Sequence, residues 1–143
     1  MTTLNVYLTF DGNCLEAFEF YRSVFGGDFS SLNRFSEMPP DPNFKVSEEE
    51  KNRIMHVSLP VSKETILMGS DKFIGHGPDL NMGNNFSLSV NTDSKEAADK
   101  IFSALSEGGQ VTMPMADTFW GSYFGMAKDK FGINWMVNVD LNK

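Results

Sequence analysis

The chain has 143 residues, 41% of them hydrophobic and 13 of them Phe, with a net charge of −7 and a pI of about 4.7. That length predicts one domain with enough apolar area for a real core, and the acidic balance argues against nucleic acid or an anionic membrane surface as a partner, because neutralising phosphates needs a basic stripe. The single cysteine, Cys14, cannot form an internal disulfide, no apolar run reaches a spanning length and the N-terminus lacks the basic start of a signal peptide, so a soluble cytoplasmic protein is expected.

Residues 5–10 alternate, with Val6, Leu8 and Phe10 apolar on one side, and predict a strand. Asn13 with Glu16 three positions on has the pattern of a capping box. Apolar residues at Leu15, Phe18, Tyr21, Val24 and Phe25 then follow a helical period, and Gly26-Gly27 offers a left-handed stop. A strand is predicted near 29–35. Residues 36–52, with three prolines and the run Glu48-Glu49-Glu50, read as a mobile, exposed acidic loop with those carboxylates solvated. A hairpin is expected from 54–59 and 65–69, with Glu64 at its turn, and 70–84 reads as a linker in which His76 is exposed.

After the linker the beginning returns. Phe86-Ser87-Leu88-Ser89-Val90 mirrors Val6-Tyr7-Leu8-Thr9-Phe10 at an offset of 80 residues, and the same offset carries Asn13 to Asp93, Glu16 to Glu96, Ala17 to Ala97 and Ser23 to Ser103. A second helix, with Ala97, Ala98, Ile101, Phe102, Ala104 and Leu105 apolar, stops at Gly108-Gly109. A strand at 110–113 and a hairpin of 122–127 and 133–139, turned on Asp129 and Gly132, complete the unit. Along the last strand Ile133, Trp135, Val137 and Val139 share one face and Asn134, Met136 and Asn138 the other, so Trp135 is expected to pack beneath a helix. Each half thus reads strand, helix, three strands. One such half exposes a sheet face and two edges, which makes duplication physically sensible.

The tandem plan resembles that of the vicinal oxygen chelate superfamily, home of glyoxalase I and the bleomycin-resistance proteins. The resemblance is nearest to its PhnB-like branch. It is carried by Val6-Tyr7-Leu8-Thr9-Phe10-Asp11-Gly12-Asn13-Cys14, by Ala17-Phe18-Glu19-Phe20-Tyr21 and Met55-His56-Val57, and above all by Asp117-Thr118-Phe119-Trp120-Gly121 with Asp129-Lys130-Phe131-Gly132-Ile133-Asn134-Trp135-Met136. The resemblance implies an α+β fold of two tandem βαβββ modules, 1–75 and 83–143, forming an open, curved mixed sheet around a cleft. It also implies a homodimer. Some members of the branch are named demethylubiquinone methyltransferases, but no Gly-rich strand-to-helix loop suited to S-adenosylmethionine is visible, and no cofactor is expected.

With that fold, the inward residues are expected to be Asn5, Tyr7 and Thr9, their counterparts Asn85, Ser87 and Ser89, and His56, Ser58, Leu67, Tyr123, Asn134 and Met136. From these, the substrate-binding set is Tyr7, Thr9, His56, Leu67, Ser87, Trp120, Tyr123 and Met136. His56 is the candidate general base or orienting donor, and Tyr123 is the other group placed to act on a substrate proton. Phe119-Trp120 is assigned to a cleft wall, a dimer seam or the core. Met55, Met113 and Met126 are expected to fill core, and Cys14, in a helix-capping turn where the dipole lowers a thiol pKa, reads as a bystander. The resemblance places the metal ligands of metal-dependent relatives on Asn5, Leu67 (Met68 with a one-residue register change), Asn85 and Met136. None offers an imidazole or carboxylate, so no metal is expected. The expected function is metal-independent binding of a small organic molecule in the inter-module cleft, with catalysis left open. The alternatives are a metal-dependent lyase, isomerase or dioxygenase-type enzyme of the same superfamily, and a protein-interaction module.

Overall fold

Two βαβββ units follow one another along the chain, each with a four-stranded mixed sheet and one helix. The computed structural model describes residues 1–74 and 77–143, so the expectation for His76 lies outside the described residues. The units run Met1–Asn81 and Met82–Lys143. Among the described residues no helix is long and apolar enough to cross a membrane.

The first unit holds β1 (Val6–Phe10), α1 (Cys14–Phe25), β2 (Ser31–Arg34), β3 (Ile54–Pro60) and β4 (Ile66–Asp71), in the sheet order β1-β4-β3-β2. β1 runs parallel to β4, which is possible because α1 carries the chain back across the sheet, while the other pairs are antiparallel. Leu8, Phe10, Val57, Leu59 and Leu67 are buried together with Cys14, Ala17, Phe18 and Tyr21 of α1. Phe18 meets Phe10 and Tyr21 edge-on, with centroids 6.2 and 5.6 Å away, and burying each such ring stabilises the unit by about 1.5–3 kcal/mol. Gly69 belongs to this face for a steric reason. A Cβ there would stand 2.6 Å from Cε1 of Phe18 and 2.8 Å from the Leu8 carbonyl oxygen.

α1 starts and stops differently from one another in kind. Gly26 and Gly27, both at positive φ, end it as anticipated, the Gly26 N–H donating to the Arg22 carbonyl. Its start departs from the expected capping box, since the Asn13 side chain makes no cap bond. Instead the buried Asp71, at the end of β4, accepts the N–H groups of Gly12 and Cys14 at 2.8 and 3.0 Å and that of Ile54 at 2.9 Å. One carboxylate thereby ties β4 to the first turn of α1 and to the first residue of β3, satisfying helix donors that would otherwise be orphaned.

The loop at 36–52 is mostly exposed but not featureless. A 3-10 turn (Phe35–Glu37) opens it, Asp41 bridges Phe44, and Phe73 lies 4.9 Å from Phe35 and 6.2 Å from Phe44. Glu50, expected in solvent, is only 3% exposed. It accepts from the Ser47 hydroxyl and the Ile74 N–H, and that pairing is what makes burial of the carboxylate tolerable.

The second unit repeats the topology with β5 (Leu88–Asn91), α2 (Lys95–Ser106), β6 (Gln110–Asp117), β7 (Ser122–Lys128) and β8 (Asn134–Asp140), in the order β5-β8-β7-β6. Leu88 is buried at the position of Leu8, as the 80-residue offset requires, but the strand begins two residues later than its mirror image and leaves Phe86 exposed. Ser94, one position after the expected Asp93, caps α2 by accepting the Ala97 N–H at 3.1 Å. Ala98, Phe102 and Leu105 of α2 are buried with Trp135, Val137 and Val139 of β8. Asp129, also buried, accepts the N–H groups of Phe131 and Ile133 and the indole N–H of Trp135, which closes the β7–β8 turn and fixes the indole in the core. β6 extends well past the predicted 110–113. It is an edge strand with almost every residue exposed, and Pro114 and two register irregularities interrupt it, devices that discourage pairing with another chain.

Candidate functional site

Each sheet has one face covered by its own helix, and strand pairing decides which side chains share the opposite, helix-free face, called the free face. In the first unit Tyr7 pairs with Met68, Met68 with Ser58 and Ser58 with Ser31, so these four form one row. Thr9 with Ser70, and His56 with Asn33, extend the same face. Nε2 of His56 lies 2.9 Å from the Ser58 hydroxyl, and the imidazole stands 5.9 Å from the Tyr7 ring at an interplanar angle of 31°. Tyr7, Thr9, Ser58 and His56 are therefore brought together. The imidazole thus has a hydroxyl partner, so the ring is oriented for hydrogen bonding.

Leu67 is not among them. It is buried on the α1 side, and Met68 occupies the free face in its place. A one-residue change of phase moves a strand residue to the opposite face, and Gly69, obliged to sit under Phe18, sets that phase.

In the second unit Ser89, Met136, Met126 and Met113 form one free-face row, and Asn91, Asn138 and Phe124 the next. The Asn138 amide donates to Oδ1 of Asn91 at 3.1 Å. Trp120 lies 6.0 Å from Phe124 and 5.1 Å from Phe119. Phe119 is 98% exposed and Trp120 55%, which removes core packing from their possible roles. Met113 and Met126, expected in the core, lie on this free face, Met113 being 46% exposed. Ser87 and Asn85 precede β5 and are not strand residues.

Tyr123 is displaced in the same way as Leu67. It pairs with Val139 on the helix-covered face and donates its hydroxyl to Asp99 of α2 at 2.6 Å. Lys95 Nζ sits 4.9 Å above the ring and 2.9 Å from Asp117. The bond to Asp99 holds the phenol above its ordinary pKa, with the negative charge of Asp117 adding to it. The tyrosine thus braces the sheet against its helix. Phe124 and Met126, which alternate with it, take the helix-free face instead. The available signal was the small pair Gly125 and Ala127, which lies opposite bulky Val137 and Trp135 on the packed face.

Cys14 is fully buried, and its thiol is pushed up in pKa by burial and by the charge of Asp71, the reverse of the lowering expected from a helix start. Among the described residues no group of three or more His, Cys, Asp or Glu is placed to hold a metal. Of the residues named for a metal, Met68 rather than Leu67 lies on the helix-free face of the first sheet and Met136 on that of the second, while Asn5 and Asn85 stand outside the strands. Amide oxygens and thioethers do not suit Zn, Ni, Mn or Fe, so none of these side chains is a fitting ligand for such an ion.

Comparison with known proteins matches residues 2–138 to the family model described as 3-demethylubiquinone-9 3-methyltransferase. The protein YjdN of Escherichia coli is 28% identical over 142 residues, covering 95% of this chain and 94% of its own length. Protein PA1353 of Pseudomonas aeruginosa is 38% identical with a TM-score of 0.83, covering 98% of each chain. The PhnB protein of Bacillus cereus is 24% identical with a TM-score of 0.74, covering 96% of this chain and 99% of its own. A glyoxylase/bleomycin resistance protein/dioxygenase domain from Frankia shares the fold at a TM-score of 0.67 and 12% identity, covering 98% of this chain and 92% of its own.

Proposed function

The chain belongs to the 3-demethylubiquinone-9 3-methyltransferase, PhnB-like family with the glyoxalase/bleomycin resistance fold, and from that premise we propose that it binds a small organic molecule on the helix-free faces of its sheets without a transition metal. The observation that carries this reading is the make-up of those faces. Hydroxyls, amides and one imidazole stand among aromatic rings and thioethers, the mixture a small-molecule site needs to exclude water and still orient a ligand. His56 and Ser58 supply hydrogen bonds and Tyr7 an aromatic wall.

Methyl transfer from S-adenosylmethionine finds little support in the residues. The amides of Gly12 and Cys14 in the first strand-to-helix turn already serve Asp71, and that of Ala97 in the second serves Ser94. Neither turn is a glycine-rich cradle.

A homodimer in the cytoplasm is part of the same proposal. The exposed Phe119, Phe86 and Val111 support it, since a second copy would remove them from water, and the unpaired Cys14 agrees with a reducing compartment.

Native mass spectrometry of gently purified protein tests the reading. The expected spectrum shows two 16.0 kDa chains with a small molecule released on activation, and His56→Ala is expected to weaken rebinding of that molecule. Protein that retains nothing and binds no member of a broad fragment collection would overturn it.

A further inference from the structure

We infer that the helix-free face of the second unit selects a flat, uncharged aromatic ligand, with its methionine row as the contact surface. The inference rests on the small-molecule reading above and adds the chemical class. The chain is 22% charged and carries a net charge of −7, yet the two inner rows of this face contain no ionisable group. Ser89, Met136, Met126 and Met113 form one row and Asn91, Asn138 and Phe124 the other. Charges appear only at the margins, with Lys128 beside Asn134 at one end and Asp140 beside Ser122 at the other.

Two physical consequences follow. A carboxylate or ammonium laid on the inner rows would lose hydration and meet no counter-charge within them, so an ionised ligand is disfavoured. A ring laid there meets polarizable sulfur from three adjacent strands, a contact aromatic carbon gains from more than saturated carbon does. Trp120 and Phe124, already in edge contact, bound the surface on one side. The Asn91–Asn138 pair uses one donor and one acceptor of its two amides, which leaves hydrogen-bonding capacity for a neutral substituent such as a phenol or carbonyl.

The test uses three probes of one size on the whole chain, 2-naphthol, 2-naphthoate and decahydro-2-naphthol, read from the nine methionine methyl signals after [methyl-13C]methionine labelling. 2-Naphthol is expected to move the Met126 and Met136 methyls upfield by its ring current and to bind about tenfold tighter than either relative. The double variant Met126→Leu, Met136→Leu keeps the volume. It is expected to lower 2-naphthol affinity about two- to tenfold while leaving that of decahydro-2-naphthol unchanged. Equal or tighter binding of 2-naphthoate or of the saturated ring at these methyls would overturn the inference and leave the small-molecule reading standing. Unchanged 2-naphthol affinity in the leucine variant would overturn the role of sulfur. No binding by any of the three also overturns the inference, and joined to a bare native mass spectrum it overturns both.

Discussion

The hydroxyl of Tyr123 donates to the Asp99 carboxylate across the gap between β7 and α2, at 2.6 Å. That bond turns the phenol away from the free sheet face and makes it a structural brace. Tyr123→Phe is therefore expected to leave ligand affinity unchanged. Because the native phenol has a raised pKa, its stabilising contribution is fully present below the unfolded value of about 10 and is lost as pH rises through the native value. Urea unfolding from pH 8 upward should show the gap between wild type and Tyr123→Phe narrowing on the alkaline side. A gap that stays constant would contradict the assignment.

Asp71 accepts three backbone N–H groups from three separate segments. Asp71→Asn turns one acceptor oxygen into a donor that faces those N–H groups, and the expected loss is ~2–4 kcal/mol of unfolding free energy. The loss should appear as a lower urea midpoint with little change in slope. Asp11→Asn, whose exposed carboxylate pairs with Arg53, serves as the control and should leave the urea midpoint nearly where it was.

Gly69→Ala places a Cβ against Phe18 and the Leu8 carbonyl. The backbone oxygen cannot swing aside, so the substitution should cost about 1–3 kcal/mol although alanine is the smallest possible change. Combining it with Phe18→Leu should recover part of that loss, and a purely additive double variant would rule out the steric account.

Cys14 is buried and its thiol is held in the protonated form. A thiol reagent such as 5,5′-dithiobis(2-nitrobenzoate) at pH 8 is expected to label native protein only as fast as the first unit opens, and denatured protein at once. Rapid labelling of the native chain would place the thiol at the surface.

Because Asn5, Met68, Asn85 and Met136 offer only amides and thioethers, chelators are expected to have no effect. Elemental analysis after dialysis should find well under one equivalent of Zn, Ni, Mn or Fe per chain, and EDTA should leave the melting temperature where it was. A melting temperature lowered by EDTA and restored by one of these ions would reverse the conclusion.

Much of the architecture can be read without coordinates. The 80-residue echo of Leu8 in Leu88, the glycines after each helix and the alternation of Trp135, Val137 and Val139 identify two βαβββ units and the packed face of the last strand, because local periodicity and caps are written in neighbouring residues. Alternation divides a strand into two faces, but in β4 and β7 both faces carry large apolar groups, so the pattern alone does not say which one a helix covers. Gly69 beneath Phe18, and Gly125 and Ala127 opposite Val137 and Trp135, settle it, the first through a contact between residues far apart in the chain and the second through cross-strand pairing. Asp71 is likewise 57 residues from the helix start it caps and Asp99 24 residues from the phenol it holds. Residue order was enough for the plan of the fold, while the side of each sheet that its helix leaves uncovered was decided by sterics and hydrogen bonds that exist only once the chain is folded.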